Sequence, residues 1–204
     1  MYKNGIKRLL DVVFSWMILV ISAPVLLIIV IAIRLDSKGP AVFAQRRLGR
    51  NGKEFDMYKF RTMVVNAEAG GVYSDDRDTR VTKVGKFLRK TSLDELPQCI
   101  NIIRGDMSFI GFRPPLTYHP WPWEEYTEEQ KRMFALRPGI TGWAQVNGRR
   151  TVEWHKRIEL NVWYAENVSF LLDCKILLMT IFKVLANTDN ENVGASVSGR
   201  AGDQ

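Results

Sequence analysis

At the centre of the chain stands the stretch Thr91-Ser92-Leu93-Asp94-Glu95-Leu96-Pro97-Gln98, in which two adjacent carboxylates separate a hydroxyl pair from an apolar run. The pattern predicts a helix whose first turn contains Asp94 and Glu95. The helix dipole and the free N–H groups of a first turn would keep a carboxylate ionised, able to act as a nucleophile near a phosphate or a metal ion. A purely structural interpretation is a capping box formed by Ser92 and Glu95, which requires no function.

Basic residues surround the two carboxylates in the sequence. Arg89 and Lys90 precede them, and Arg104 and Arg113 follow them. A guanidinium group matches phosphate oxygens bidentately, so these arginines suit a diphosphate substrate. Attack of a carboxylate on a phosphate is opposed by like charge, which arginines and a bound divalent cation would offset. The pattern therefore indicates phosphate chemistry.

Composition limits the class of protein. The chain has 204 residues, 46% of them hydrophobic, which excludes an intrinsically disordered protein. A net charge of +7 favours anionic partners such as nucleic acid, lipid head groups or nucleotide phosphates. Cys99 and Cys174 stand too far apart to indicate a zinc site or a disulfide framework. The sequence contains no Walker loop, dinucleotide-binding glycine pattern or nucleophile elbow.

The N-terminal region favours a membrane. From Val12 to Ile33 the chain has 22 residues without a charge, enough to cross a bilayer as one straight helix. Pro24, two residues after Ser22, predicts a bend or break, and each arm would then reach about 18 Å at most, roughly the middle of a bilayer. Basic residues flank both ends, and such flanks remain cytoplasmic. A hairpin that enters and leaves by the cytoplasmic face and a bent single-pass anchor both remain open.

The rest of the chain predicts an α+β fold, in which a mostly helical cytoplasmic domain carries a small β-hairpin. Expected boundaries are a membrane helix at 1–36, the catalytic domain with interfacial helices at 37–186, and a disordered tail at 187–204. The glycine-containing loop Arg137–Arg150 could bring backbone close to a ligand or could simply be a connection. The predicted strands are Ala41–Gln45 and Phe55–Phe60, and the predicted helices are Val84–Arg89, Glu124–Leu136, Thr151–Tyr164 and Ser169–Ala186.

Four ordered blocks carry a family resemblance: Tyr58–Met63, Thr91–Gln98, Gly105–Gly111 and Arg137–Arg149. Together they resemble the bacterial sugar transferase family, the monotopic polyprenyl-phosphate phosphoglycosyl transferases. The resemblance extends from the N-terminus to about Ala186. Within the family, the ending Asn161–Asp173 is most similar to the small N,N′-diacetylbacillosamine-1-phosphate transferases that start protein N-glycan assembly.

The resemblance implies a two-step reaction at the cytoplasmic face of the bacterial inner membrane. Asp94 matches the family nucleophile, which attacks the β-phosphate of a UDP-sugar, releases UMP and holds the phosphosugar covalently. Undecaprenyl phosphate then accepts the phosphosugar. Glu95 matches the second member of the dyad and would bind Mg²⁺ as the cofactor.

The resemblance also assigns binding roles. Arg89 and Arg113 match phosphate-binding positions, and Arg149 lies in the block associated with the nucleotide. The family's membrane element is a re-entrant helix broken at a serine–proline step, which corresponds here to Ser22 and Pro24 and favours the hairpin. Membrane lipid is then an expected partner and nucleic acid is not.

Three positions depart from the family pattern. Proline is usual where Phe112 stands and frequent where Leu48 stands, so the loop that carries Arg113 could differ in shape. Asn161 replaces an acidic residue that is common in close relatives. None of these changes touches Asp94 or Glu95.

Two alternatives remain from the sequence. The donor could instead be UDP-glucose, UDP-galactose or a UDP-N-acetylhexosamine that serves capsule or lipopolysaccharide. Alternatively, the chain could be a non-enzymatic, membrane-tethered module that binds anionic lipid or nucleic acid through the basic residues Arg46, Arg47, Arg50 and Lys53.

Overall fold

The computed structural model describes residues 2–67, 71, 78–147 and 153–186, and the predicted tail at 187–204 lies outside them. Within these residues the α+β prediction is confirmed, with helices predominating. The strands are β1 (Val42–Leu48), β2 (Glu54–Phe60), β3 (Ser108–Ile110) and β4 (Gly139–Thr141). The α-helices are α1 (Lys7–Asp36), α2 (Lys83–Thr91), α3 (Gln98–Arg104), α4 (Glu128–Lys131), α5 (Trp143–Asn147), α6 (Trp154–Glu166) and α7 (Phe170–Ala186).

The longest element is the apolar helix α1, which a short π-helical turn at Tyr2–Ile6 precedes. It is long and apolar enough to cross a membrane by length and composition. The expected interruption at Pro24 does not end the helix, because α1 continues from Lys7 to Asp36. Two residues before Pro24, the Ser22 hydroxyl donates a hydrogen bond to the Ile18 carbonyl at 2.6 Å. The re-entrant hairpin remains a prediction.

Both ends of α1 are fixed to the rest of the fold. At its start, the Lys7 ammonium contacts the Asp173 carboxylate of α7 at 2.6 Å. At its end, the Asp36 carboxylate accepts a hydrogen bond from the backbone N–H of Val84, the second residue of α2, at 2.9 Å. Ile33 is buried in a core cluster with residues of β2 and α2. The central part of α1, by contrast, exposes large apolar side chains, including Val20, Ile21, Leu27 and Ile28.

Strands β1 and β2 form the predicted antiparallel hairpin, with a register from Val42 opposite Phe60 to Leu48 opposite Glu54. The connecting turn at Arg50–Gly52 contains Asn51 with φ 56°, the left-handed conformation that the Asn-Gly pair favours. Strand β1 extends three residues beyond its prediction. Because strand side chains alternate, β2 packs one face on α3 and the other on the C-terminal end of α1.

The pair β3 and β4 is parallel, joins Ser108 to Gly139 and Ile110 to Thr141, and was not predicted because each strand has only three residues. The predictions of α2, α6 and α7 are confirmed with small shifts at their ends. The single helix expected over Glu124–Leu136 is wrong. Tyr126 is extended, and a capping box at Thr127 begins a new short helix, so the segment divides into two 3₁₀ turns around α4.

Candidate active site

The two central carboxylates lie in a 3₁₀ turn, Leu93–Glu95, between α2 and α3. The prediction that they occupy the first turn of an α-helix is therefore wrong, and so is the capping box. Ser92 takes the left-handed conformation, with φ 56°, and its N–H caps the end of α2 instead. Proline lacks an N–H and suits the first positions of a helix, where no intrahelical bond to its nitrogen is needed, and α3 begins directly after Pro97.

Apolar contacts hold this turn in place. Leu93 and Leu96 pack against the cluster formed by Ile29, Ile33 and Phe60. These leucines flank the two carboxylates on the chain, so their burial turns Asp94 and Glu95 toward the opposite, charged side. The C-terminal end of the apolar helix α1 is thus part of the support for the carboxylate turn.

Glu95 is held by two cations. Its Oε1 atom accepts hydrogen bonds from the Lys59 ammonium at 2.9 Å and from the Arg113 guanidinium at 3.4 Å. The side chain is 20% exposed. Burial by itself would raise the pKa of Glu95, but the charges of Lys59 and Arg113 and their hydrogen bonds outweigh it and lower the pKa to about 2. Glu95 is therefore ionised at any physiological pH.

Lys59 is the residue of this site that sequence reasoning missed. It lies on β2, two residues after Met57 and four after Phe55, both of which pack against the α3 side of the hairpin. The alternation of side chains along a strand puts Lys59 on the same face, where its side chain is only 17% exposed. This alternation was the available signal, because a lysine among inward-facing apolar residues needs an anionic partner.

Asp94 differs from its neighbour. In the part of the chain that the structure describes, no hydrogen bond or ion pair reaches its carboxylate. Burial raises the pKa of Asp94, and the negative charge of Glu95 raises it further, against the opposing charges of Lys59, Arg113 and Arg89. A weakly solvated carboxylate whose oxygen lone pairs are unoccupied is well suited to attack an electrophile.

The predicted phosphate-binding arginines lie around this carboxylate. The Arg89 Nε atom donates to the Thr62 hydroxyl at 3.0 Å, and Arg113 projects from the loop after β3 with 54% of its side chain exposed. Arg149 lies outside the described residues. Arg104, also a candidate phosphate partner from the sequence, instead stacks over the Tyr58 ring at 5.1 Å.

Two of the departures from the family pattern meet in one core cluster. Phe112, next to Arg113, is 1% exposed, and its ring centroid is 4.9 Å from that of Phe134. Leu48 belongs to the same cluster. The loop that carries Arg113 is therefore anchored by an aromatic side chain. Asn161 is 8% exposed, and its Oδ1 atom has no hydrogen-bond partner within the described residues.

The site contains ligands suited to a magnesium ion. No cluster of three or more metal-ligating side chains occurs among the described residues. Magnesium, however, is usually held by one or two carboxylates together with substrate phosphates. Asp94 and the second carboxylate oxygen of Glu95 accept no hydrogen bond from the described part of the chain, so their chemistry fits this arrangement.

The basic cluster considered for a non-enzymatic module does not form one surface patch. Arg46 pairs with Glu54 and Asp56 on the hairpin. The Arg47 guanidinium donates to the Pro114 carbonyl, and Arg50 donates to the Ala135 carbonyl. These side chains thus point to different parts of the fold.

Comparison with known proteins identifies the class. The family described as bacterial sugar transferase matches residues 2–187. The uncharacterized sugar transferase EpsL of Bacillus subtilis is 44% identical, over 89% of this chain and 88% of its own length. The UDP-glucose:undecaprenyl-phosphate glucose-1-phosphate transferase of Escherichia coli is 42% identical, over 90% of this chain and 42% of its own. The galactosyl transferase CpsE of Streptococcus agalactiae is 42% identical, over 89% and 42%.

The chain therefore belongs to the bacterial sugar transferase family. It spans most of the Bacillus relative but less than half the length of the Escherichia and Streptococcus relatives. The family prediction from the sequence is confirmed. The finer resemblance to bacillosamine transferases is not shown by these relatives, whose names specify glucose or galactose where they specify a sugar.

Proposed function

We propose that the protein is a phosphoglycosyl transferase that moves a sugar-1-phosphate from a UDP-sugar to undecaprenyl phosphate and releases UMP. The observation that carries this proposal is the contrast at the carboxylate turn. Asp94 is weakly solvated and has no partner in the described structure, while its neighbour Glu95 is held ionised by Lys59 and Arg113. This arrangement suits nucleophilic attack on a phosphate, and named relatives catalyse this class of reaction.

The proposed reaction has two displacements at one phosphorus atom. An Asp94 carboxylate oxygen forms a bond to the β-phosphorus of the UDP-sugar, and the bond to the oxygen bridging the two phosphates breaks, so UMP leaves with that oxygen. A phosphate oxygen of undecaprenyl phosphate then attacks the same phosphorus and displaces the Asp94 carboxylate. The product is undecaprenyl diphosphate sugar, and Asp94 returns to its starting state.

The surrounding residues have distinct tasks in this proposal. Arg89 and Arg113 contact the diphosphate oxygens and offset the repulsion between the attacking carboxylate and the substrate. Lys59 holds Glu95 in position at the side of Asp94. Glu95 would hold Mg²⁺, which when bound neutralises the charge that develops on the diphosphate.

The contacts of α1 support attachment to one face of the membrane. A straight single pass would put its two ends on opposite sides of the bilayer, yet both ends contact the same folded unit, through Asp173 and through Val84. Entry and exit at one face satisfy these contacts, and the basic flanks favour the cytoplasmic face of the inner membrane.

Cysteine labelling tests this topology. Gly5→Cys has open space around its new side chain, and Lys38→Cys replaces an exposed residue at the other end of α1. In a Cys174→Ser background, both cysteines should be protected from a membrane-impermeant thiol reagent applied outside intact cells. Labelling of Gly5→Cys alone would instead indicate a single span.

Two donor classes are proposed. The resemblance over Asn161–Asp173 favours UDP-N,N′-diacetylbacillosamine and hence protein glycosylation. The names of the relatives favour UDP-glucose or UDP-galactose, which would serve other glycoconjugates. The non-enzymatic module is not favoured, because the chain belongs to a transferase family and the basic residues it required are dispersed.

UMP release tests the function. Purified protein is supplied with each UDP-sugar in a panel that includes the bacillosamine, glucose, galactose and N-acetylhexosamine donors, with Mg²⁺ and undecaprenyl phosphate. One donor should give sustained UMP release that depends on the lipid acceptor and stops when Mg²⁺ is chelated. Absence of release with every donor would overturn the proposal.

A further inference from the structure

A second charged feature lies beside the start of α1, in a cavity of about 390 Å³. Its lining includes five cationic side chains and a single carboxylate: Lys3, Lys7, Arg8, Arg50, Arg137 and Asp11. The residues come from α1 and the turn before it, from the β-hairpin turn, and from the segment before β4. Tertiary folding therefore collects cations that are far apart in the sequence.

Hydrogen bonds to backbone carbonyls hold three of these cations in fixed positions. Arg8 donates to the carbonyls of Ile102 and Ile103, and Arg137 donates through Nε to the Gly105 carbonyl at 2.8 Å. Arg50 donates through Nε to the Ala135 carbonyl at 3.1 Å. An Nε contact leaves the two terminal nitrogens of a guanidinium for another acceptor. For Arg50 and Arg137, those nitrogens have no acceptor within the described residues.

The charges in the cavity are not balanced by the fold. Lys7 is paired with Asp173, which leaves four cations of the lining, Lys3, Arg8, Arg50 and Arg137, with Asp11 as the one carboxylate of that lining. Burial lowers the pKa of Arg137, and the positive charges of Arg8 and Arg50 lower it further. Grouping cations in a half-buried space costs free energy unless an anion enters. The excess positive charge of the cavity therefore suits a bound anion, which the described residues do not supply.

This cavity is distinct from the carboxylate site. Arg8 contacts the C-terminal end of α3, whereas Asp94 and Glu95 precede its N-terminal end. A helix of seven residues is about 10 Å long, so α3 separates the two features. None of the residues around Asp94 lines the cavity.

Apolar side chains are exposed on the two elements that the Lys7–Asp173 pair joins. Leu9 on the first turn of α1 is 64% exposed, and Leu171 at the start of α7 is 79% exposed. The ring of Tyr2, between these elements, contacts the Phe170 ring at 5.7 Å. A ligand with a phosphate in the cavity and an acyl chain along this surface would satisfy both features, whereas a soluble anion would use only the first.

We propose that this cavity binds the phosphate group of an anionic membrane phospholipid, with the acyl chains against α1 and α7. Arg50 and Arg137 supply the direct contacts through their terminal nitrogens. The bound lipid would fix the depth of the start of α1 at the membrane surface. This proposal is independent of the transfer reaction and concerns a ligand other than donor or acceptor.

Native mass spectrometry of the full chain in neutral detergent tests the proposal. Phosphatidylglycerol should be retained at one molecule per chain and bind more tightly than phosphatidylcholine. The double substitution Arg50→Gln with Arg137→Gln should weaken phosphatidylglycerol binding roughly 30-fold, the effect of two basic contacts near a membrane surface. Arg50→Lys with Arg137→Lys keeps the charge and should retain most of the binding, which separates charge loss from misfolding.

The matched control removes the same charge elsewhere. Arg46→Gln with Arg132→Gln alters two exposed arginines in surface ion pairs and should leave lipid binding unchanged. An equal loss in this control, or equal affinity for phosphatidylcholine, would overturn the proposal. Displacement of the lipid by inorganic phosphate at equal concentration would assign the cavity to a soluble anion. UMP release in the same samples reports on the transferase reaction separately.

Discussion

Two lysine–carboxylate pairs lie in protected parts of this protein and behave differently. Lys7 and Asp173 join the start of α1 to α7 at 2.6 Å, and Lys59 and Glu95 meet beside the carboxylate turn at 2.9 Å. Both lysines are largely shielded from solvent, with 11% and 17% of their side chains exposed. The pairs therefore differ less in burial than in what else surrounds the carboxylate.

At the first pair, the fold satisfies the carboxylate completely. Asp173 accepts hydrogen bonds from the hydroxyls of Tyr2 and Tyr164, each at 2.6 Å, in addition to Lys7, so both oxygens have partners. At the second pair, Glu95 uses one oxygen, and Asp94 beside it has no partner in the described residues. Saturated contacts indicate a structural pair, and unused acceptors beside cations indicate a site for a ligand.

The largest expected effect follows from removing the proposed nucleophile, Asp94. Asp94→Asn keeps the size of the side chain but removes the attacking charge, and UMP release should fall by about 10⁴-fold or more. Stability should not fall, because burial already disfavours the charged form of Asp94. Parallel turnover and urea-unfolding measurements check both parts. Wild-type turnover in Asp94→Asn would show that the carboxylate of Asp94 is not needed for the reaction.

The structural pair should show the opposite behaviour. Asp173→Asn leaves the Lys7 ammonium shielded from water without its ion-pair partner, and the free energy of unfolding should fall by about 3–5 kcal/mol. Urea unfolding in detergent measures the change. Glu166→Gln is the control, since it breaks an exposed pair with Arg132 and should cost less than about 1 kcal/mol. A small effect of Asp173→Asn would show that the saturated pair is not structural.

Lys59 should affect activity more than stability. Lys59→Gln removes a cation that holds Glu95 and faces Asp94, and turnover should fall by about 10²-fold, as for loss of one preorganised donor. The matched control is Lys53→Gln on the exposed hairpin turn, which should retain full turnover. If Lys59→Gln unfolds the protein as readily as Asp173→Asn does, the two pairs would not differ in role.

The smallest effect concerns pH. The pKa of Asp94 is raised, so acidification should protonate this carboxylate at a higher pH than an ordinary aspartate, while Glu95, with a pKa of about 2, stays ionised. The rate of the first UMP release, followed from about pH 9 to about pH 4, should therefore fall in one step. Lys59→Gln should move that step to higher pH, because Lys59 lowers the pKa of Asp94. An unmoved step would assign it to another group.

Sequence reasoning reached the parts of the molecule that depend on local pattern. The hairpin followed from Asn51-Gly52, and the carboxylates with their arginine partners followed from residue type and spacing. It failed where the backbone conformation depends on tertiary contacts. Ser92 was predicted to begin a helix, but in the structure it ends α2. Leu93 and Leu96, which follow it, pack on α1, a contact that cannot be recognised from local sequence.

The charged cavity was also beyond local reasoning. Arg8 meets the carbonyl of Ile102 across a separation of 94 residues, and Arg50 meets Ala135 across 85. The sequence grouped Arg46, Arg47, Arg50 and Lys53 as one basic cluster. Arg46 is paired with Glu54 and Asp56 on the hairpin and Arg47 donates to the Pro114 carbonyl, so Arg50 is the one member of this cluster that lines the cavity.

We propose that Asp94, and not Glu95, forms the covalent bond to the phosphosugar. The direct measurement is the intact mass of the protein after incubation with its UDP-sugar and Mg²⁺ but without polyprenyl phosphate, followed by peptide mapping. We predict one phosphosugar bound per chain, with one equivalent of UMP released, and we expect the adduct on Asp94 and none in Asp94→Asn. An adduct on another residue, or turnover with undecaprenyl phosphate without any adduct, would contradict it.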